Sequence, residues 1–118
     1  MATNRNRTAG HNFERAIVIE LKEIGYEDVV TSRAESRNMD NAGVDIFGKD
    51  FPYYIQCKNS KTYQKLHELI TSELLPTDKP TIVFQRKTRK VTTKFVTEGD
   101  YVSMKKEDFY NLLKQIKK

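Results

Sequence analysis

Three polar residues near the middle of the chain, Asp45, Gln56 and Lys58, have the types and the spacing to meet at one place. Side chains along a strand alternate between its two faces. In 53–58, Tyr-Tyr-Ile-Gln-Cys-Lys, Gln56 and Lys58 share one face, and Ile55 and Cys57 share the other. In 44–47, Val-Asp-Ile-Phe, Asp45 points away from Val44 and Ile46. A hairpin turn centred between Asp50 and Phe51 puts Asp45 directly across from Gln56. One hairpin then presents a carboxylate, an amide oxygen and an ammonium together, backed by Val44, Ile46, Ile55 and Cys57.

That trio suits phosphodiester hydrolysis. Asp45 can ligate Mg²⁺, a hard cation that prefers oxygen and keeps several waters. The Gln56 side-chain oxygen and the Cys57 backbone carbonyl can complete the protein's share of the ligands. A metal so held lowers the pKa of a bound water and polarises a phosphate, and Lys58 stabilises developing negative charge or orients the attacking water. Alternation alone equally describes an ordinary surface hairpin, polar outside and apolar inside.

The elements that must position these residues follow from pattern. Phe13, Ile17, Leu21 and Ile24 recur at helical spacing and predict a helix over 12–24, capped by Asn12 and stopped by Gly25. A short strand is expected over 28–32. Residues 33–43, RAESRNMDNAG, are polar and turn-rich and read as a loop. After the hairpin, Tyr63, Leu66, Ile70 and Leu74 mark the buried stripe of a helix over 63–75 that Pro76 stops. Strands are expected over 81–84 and within 95–104. A last amphipathic helix begins at about 106, with Phe109, Leu112, Leu113 and Ile116 inward and its charges arranged as the helix dipole favours. The order predicts one α/β or α+β domain, 1–118, around a central mixed sheet flanked by helices, with 1–11 as a basic arm or a frayed terminus.

Composition bounds the rest. The chain has 118 residues, 37% hydrophobic and 31% charged, which fits one soluble globular domain. It has no apolar run long enough to span a bilayer, so no membrane partner is expected, and no apolar leader at its start. Cys57 is the single cysteine; it excludes an intrachain disulfide and a cysteine zinc site, and a reducing, cytoplasmic setting is the default expectation. The net charge of +5 suits an anionic partner. Residues 79–97 hold six basic residues (Lys79, Arg86, Lys87, Arg89, Lys90, Lys94) and no acid, and Arg5 and Arg7 precede the first acid, Glu14. The run at 86–94 reads either as phosphate contacts along DNA or as a β-edge guarded by lysines.

The pattern resembles the PD-(D/E)XK nuclease superfamily, and within it the archaeal and phage type of Holliday junction resolvase. The resemblance begins at Asn12-Phe13-Glu14-Arg15, where those enzymes carry a Glu-Arg pair on the first helix, and continues through the Leu-x-x-x-Gly-Tyr stretch at 21–26. It runs on through 29–36, a strand leading into a serine-containing loop, and Gly43-Val44-Asp45-Ile46, and ends at Ile55-Gln56-Cys57-Lys58-Asn59. About 50 residues are covered, in order. The resemblance implies a restriction-endonuclease-like domain in which Glu14, Asp45 and Gln56 surround the metal (Mg²⁺, with Mn²⁺ as a substitute) and Lys58 is catalytic. It implies a serine, Ser32 or Ser36, near the scissile phosphate, and a homodimer that cuts four-way DNA junctions in recombination or in debranching phage DNA inside the host cytoplasm.

The chain departs from that pattern in places. Gln56 stands where an acid is usual, although nucleases of the Mrr restriction type also carry Gln-x-Lys. The loop between Ser36 and Asp45 is longer than usual. Asp40 within it reads as a supplementary ligand or as a solvated carboxylate. Glu14 also reads as a first-turn acid favoured by the helix dipole. Candidate DNA contacts are Arg5, Arg7, Arg15, Arg33, Arg37, Arg86, Lys87, Arg89, Lys90 and Lys94. Two other functions share these residues: a restriction or repair endonuclease acting on plain duplex, and a DNA-binding module of the same fold without catalysis.

Overall fold

The computed structural model describes residues 4–60 and 65–117, with side chains from Thr8 onward. Helix α1 spans Asn4–Ile24, well beyond the start expected at Asn12. Nothing in Thr8-Ala9-Gly10-His11 breaks a helix, and once the packed half is nucleated each added residue gains one hydrogen bond. At its other end Gly25, with φ of +126°, and Tyr26 both donate backwards to the Leu21 carbonyl. That left-handed turn is the stop expected of a glycine.

The segment read as a loop instead holds two short helices, α2 (Ser32–Glu35) and α3 (Arg37–Asn41), after strand β1 (Val30–Thr31). The Ser36 side chain accepts the Met39 amide and so caps α3, and the chain then leaves α3 through Gly43 at φ +93°. Polar composition hid these turns because both helices are too short to show a periodic apolar stripe.

Strands β2 (Ile46–Phe47) and β3 (Tyr54–Ser60) form the expected hairpin with Ile46 opposite Ile55. That register has the centre anticipated, between residues 50 and 51. Helix α4 (Leu66–Ile70) is shorter than expected, and the expected start at Tyr63 lies outside the described residues. Leu74 is exposed, and its neighbour Leu75 takes the buried place. Strands β4 (Thr81–Val91) and β5 (Lys94–Ser103) are much longer than their apolar runs. They form a two-stranded ribbon closed by a tight turn at Thr92, which adopts φ of +57°. Its outer half is solvated on both faces, so the alternation by which a half-buried strand is recognised is missing. Helix α5 spans Lys106–Ile116.

The five strands make one mixed sheet in the order β1-β2-β3-β4-β5; β3 and β4 are parallel and the other neighbours antiparallel. The fold is therefore a mixed α+β one. Phe13, Ile17 and Leu21 of α1 cover one face of the sheet with Val29, Ile46, Phe51, Ile55 and Ile82. A smaller cluster of Val44, Tyr54 and Leu75 fills the other. Two expectations fail here. Ile24 is exposed, and none of the residues of α5 is fully buried: Leu112 is half-buried, while Phe109, Leu113 and Ile116 are exposed. Among the described residues no helix is long and apolar enough to cross a membrane.

Candidate active site on the β2–β3 hairpin

The backbone of Asp45 is held from two sides. Its amide donates to the Ile55 carbonyl at 2.8 Å, and its own carbonyl accepts the Ser32 amide at 2.9 Å. Its carboxylate Oδ2 accepts the Cys57 amide at 2.8 Å. Alternation therefore breaks at this residue. Val44 and Ile46, expected on one face, lie in different core clusters, and the Asp45 side chain reaches toward the β3 backbone. The cause is local: β2 is regular only over its two residues, and the chain enters it through the positive-φ turn at Gly43. Burial raises the pKa of Asp45 above the usual carboxylate value, opposed by the Cys57 amide and the Lys58 charge and reinforced by Asp40.

Glu14 comes to this place from α1. Its carboxyl is mostly enclosed, and burial first, then the charge of Asp45, push its pKa up to about 7. Arg33 of α2 opposes that shift with Nη2 standing 3.6 Å from Glu14 Oε2, and Asp40 of α3 adds to it. Asp40 is thus close enough in charge to act on both carboxylates, although it is itself exposed. Oε2 of Glu14 is a buried oxygen with no hydrogen-bond donor among the described residues.

Gln56 is only 5% exposed. Its amide nitrogen donates to the Leu69 carbonyl at 3.0 Å, and its Oε1 is the second buried oxygen without a donor among the described residues. Gly43 packs beside it: a Cβ there would stand 3.5 Å from Nε2. Lys58 lies two residues further along β3 and draws the Asp45 pKa down. The Cys57 side chain packs against the α1 core, as expected, and burial raises its pKa strongly. In an extended strand the N–H and C=O of one residue point to the same edge. The Cys57 carbonyl therefore faces the side on which Asp45 sits.

The two candidate serines differ. Ser32 is fully buried and its hydroxyl donates to the Val44 carbonyl, which commits it to the backbone. Ser36 is partly exposed at the start of α3.

The basic residues also divide. Arg86 makes a two-pronged ion pair with Asp100 (2.8 and 2.9 Å) and lies over the Phe13 ring, 4.6 Å from its centroid. Lys87 pairs with Glu98 at 2.8 Å, and Arg89 stands 3.8 Å from the same carboxylate. The run without acids in sequence is thus matched by acids across the ladder. Lys79 is structural: its ammonium donates to the carbonyls of Gly48 and Phe51, latching the β2–β3 loop. Arg15, Arg37, Lys90 and Lys94 are exposed, Arg33 is paired with Glu14, and the side chains of Arg5 and Arg7 lie outside the described residues. A groove of about 970 Å³ runs between Asn12 on α1, Asn59 and Ser60 at the end of β3, and Arg86, Lys94 and Phe95 of the β4–β5 ribbon.

The site thus gathers Glu14, Asp45 and Lys58, with Asp40 and Arg33 beside them. Among the described residues no three Asp, Glu, His or Cys side chains stand close enough to hold a metal ion. Comparison with protein-family models, curated proteins and solved structures finds no match.

Proposed function

We propose that this chain is a metal-dependent DNA endonuclease whose centre is Glu14, Asp45, Gln56 and Lys58. The observation that carries the reading is the carboxylate pair: burial of Glu14 first, and then the charge of Asp45, push the Glu14 pKa up to about 7. Burying two like charges together is costly unless a cation joins them. Gln56 Oε1, a buried acceptor without a donor among the described residues, fits the same need, while Glu14 Oε2 has Arg33 Nη2 at 3.6 Å. A hard divalent cation, Mg²⁺ or Mn²⁺, would be held by Glu14, Asp45, Gln56 Oε1 and the Cys57 carbonyl. When bound, it supplies Lewis acidity and a water of lowered pKa.

The chain's own residues supply the rest. The Cys57 amide fixes the Asp45 carboxylate in place. Lys58, on the next turn of the pleat, carries the cation that balances negative charge developing on a phosphate. Ser36, rather than the committed Ser32, is the serine placed to meet the substrate. The groove beside β3 gives a nucleic-acid backbone a path lined by amides, hydroxyls and two cations. The sheet is in this reading a restriction-endonuclease-like core, and the preferred substrate is the four-way junction. Its two-fold symmetry calls for two chains and two coordinated cuts, in the cytoplasm where recombining DNA is found.

A second reading rests on Gln56. It stands where a third acid would complete a metal cluster, and the site without one suits a DNA-binding module that does not cut. Incubation with labelled four-way junction and matched linear duplex, with Mg²⁺, Mn²⁺ or EDTA, separates these. Symmetric junction cuts that need metal and vanish in Asp45→Asn support the first reading. Equal cutting of plain duplex replaces the junction with duplex as substrate, and junction binding without cleavage in any metal establishes the second.

A further inference from the structure

One face of the β4–β5 ribbon forms a wall of the groove beside α1, and strand pairing sets which residues it carries. Across the ladder Arg86 stands opposite Asp100, Thr88 opposite Thr97, and Lys90 opposite Phe95. Directly opposite residues of an antiparallel pair share a face, and so do alternate residues of one strand. This face therefore carries Arg86, Thr88 and Lys90 on β4, and Thr97 and Phe95 on β5. Arg86 lies over the Phe13 ring, so the face looks toward α1. Thr88, Thr97 and Phe95 line the groove together with Asn12, Asn59 and Ser60. Asn59 directly follows Lys58 on β3, so the groove begins beside the proposed centre.

The tip of the ribbon adds to this wall. Its turn is so tight that Val91 pairs with Lys94. Thr92 makes the turn at φ of +57°, a left-handed conformation that a β-branched residue rarely adopts. Lys94 then lines the groove next to Phe95.

The chemistry of the lining names the ligand. Among the described residues no acid lines the groove. Of its two cations, Arg86 is paired with Asp100, which leaves Lys94. Hydroxyls and amides make up the rest of the polar wall, and these suit phosphate and sugar oxygens without reading sequence. A duplex site instead neutralises several phosphates with Lys and Arg. Phe95, 49% exposed, sets an aromatic ring between Lys94 and Lys90. In a duplex the base faces are stacked on one another and a protein meets their edges. An aromatic ring lies on a base face only where the strand is unpaired, and a ring beside cations in a backbone-binding groove is how single strands are held.

We propose that this groove holds a short unpaired stretch of a DNA strand, with one base stacked on Phe95. The proposal rests on the reading of the chain as DNA-binding and names the form of strand that the groove takes. Its test is run in EDTA, without cleavage. The chain has no tryptophan, so Phe95→Trp places a single fluorescent reporter in the groove. An unlabelled oligodeoxythymidine should bind this variant and quench its fluorescence, and a blunt duplex should bind without quenching it. Phe95→Ala should weaken binding of the oligonucleotide at least about fivefold and leave duplex affinity unchanged. Val96→Ala, on the opposite face of the ribbon, should change neither. Phe95 and Val96 are both exposed, so all three variants should keep the circular dichroism of the parent. A parent that fails to bind the oligonucleotide at about 100 µM, the weak limit of non-specific nucleic-acid binding, overturns the proposal. So does a bound oligonucleotide that leaves the tryptophan unquenched, a duplex that quenches it equally, or a loss in Val96→Ala as large as in Phe95→Ala. Junction cleavage without quenching would keep the nuclease reading and remove this one; quenching without cleavage in any metal would do the reverse.

Discussion

The Asp45 carboxylate accepts the Cys57 backbone amide at 2.8 Å, so the side chain at the heart of the site is fixed by the strand that also carries Gln56 and Lys58. This bond favours the ionised form of Asp45 while burial opposes it. Rigidity and electrostatic stress thus meet in one residue. Asn at this position could keep the shape by accepting the same amide, while losing the charge. Asp45→Asn should therefore fold normally and lose metal-dependent cleavage by a factor of at least about a hundred, the scale of removing one key electrostatic group. A variant that cuts as well as the parent would remove Asp45 from the centre.

The raised pKa of Glu14 makes stability depend on pH in a definite direction. Its folded value is about 7 against 4.5 for the free carboxyl. The folded chain therefore holds the proton more tightly than the unfolded one. The resulting stabilisation is fully present below the unfolded value and is lost as pH rises through the folded one. In EDTA the melting temperature should fall between about pH 5 and about pH 8, and Glu14→Gln should flatten that slope. Added Mg²⁺ should oppose the fall on the alkaline side, because the ligand must be ionised to bind. A melting temperature that climbs with pH in EDTA would contradict this account of Glu14.

Gln56→Glu replaces the one amide of the proposed centre with an acid. The change removes the donor to the Leu69 carbonyl and buries a third carboxylate near the pair. Without metal the variant should lose about 1–3 kcal/mol. With Mg²⁺ it should regain more melting temperature than the parent gains. Equal Mg²⁺ shifts in both proteins would exclude Gln56 from metal binding.

Ser32 and Ser36 should respond differently to alanine. Ser32→Ala leaves the Val44 carbonyl unpaired in the core and should cost about 1–3 kcal/mol, with cleavage per folded molecule unchanged. Ser36→Ala removes a cap worth about 1 kcal/mol and should lower cleavage beyond its effect on stability. Denaturant titrations alongside single-turnover rates separate the two, and a catalytic loss specific to Ser32→Ala would reverse the assignment.

The ribbon cations should also divide by experiment. Arg86→Gln breaks the pair with Asp100 and withdraws the guanidinium from the Phe13 ring, next to Glu14. It should lower stability by about 1 kcal/mol and slow cleavage, with little change in how DNA affinity falls with salt. Lys90→Ala should do the reverse, reducing the slope of log affinity against log salt by about one unit while leaving stability intact. Identical salt slopes in the parent and Lys90→Ala would take Lys90 off the DNA path.

Much of the frame was legible in the sequence by itself, for local reasons. Phe13, Ile17 and Leu21 declared a buried helix face, Gly25 its stop, and residues 46–55 a hairpin of the right register, because each signal lies within a few residues. The same alternation put Cys57 toward the core. What lay between distant segments was decided by the tertiary structure. Only in three dimensions does Glu14 come near enough to Asp45 to shift its pKa, Arg33 come to stand against Glu14, and Asp40 act on both. Ser32 looked like a loop serine until the chain folded its hydroxyl onto the Val44 carbonyl. The basic run at 79–97 looked unopposed until β5 brought Glu98 and Asp100 across from it. Periodicity shows which face of an element is apolar. Whether that face is buried in the same chain is set by packing, and among the described residues α5 has no fully buried side chain.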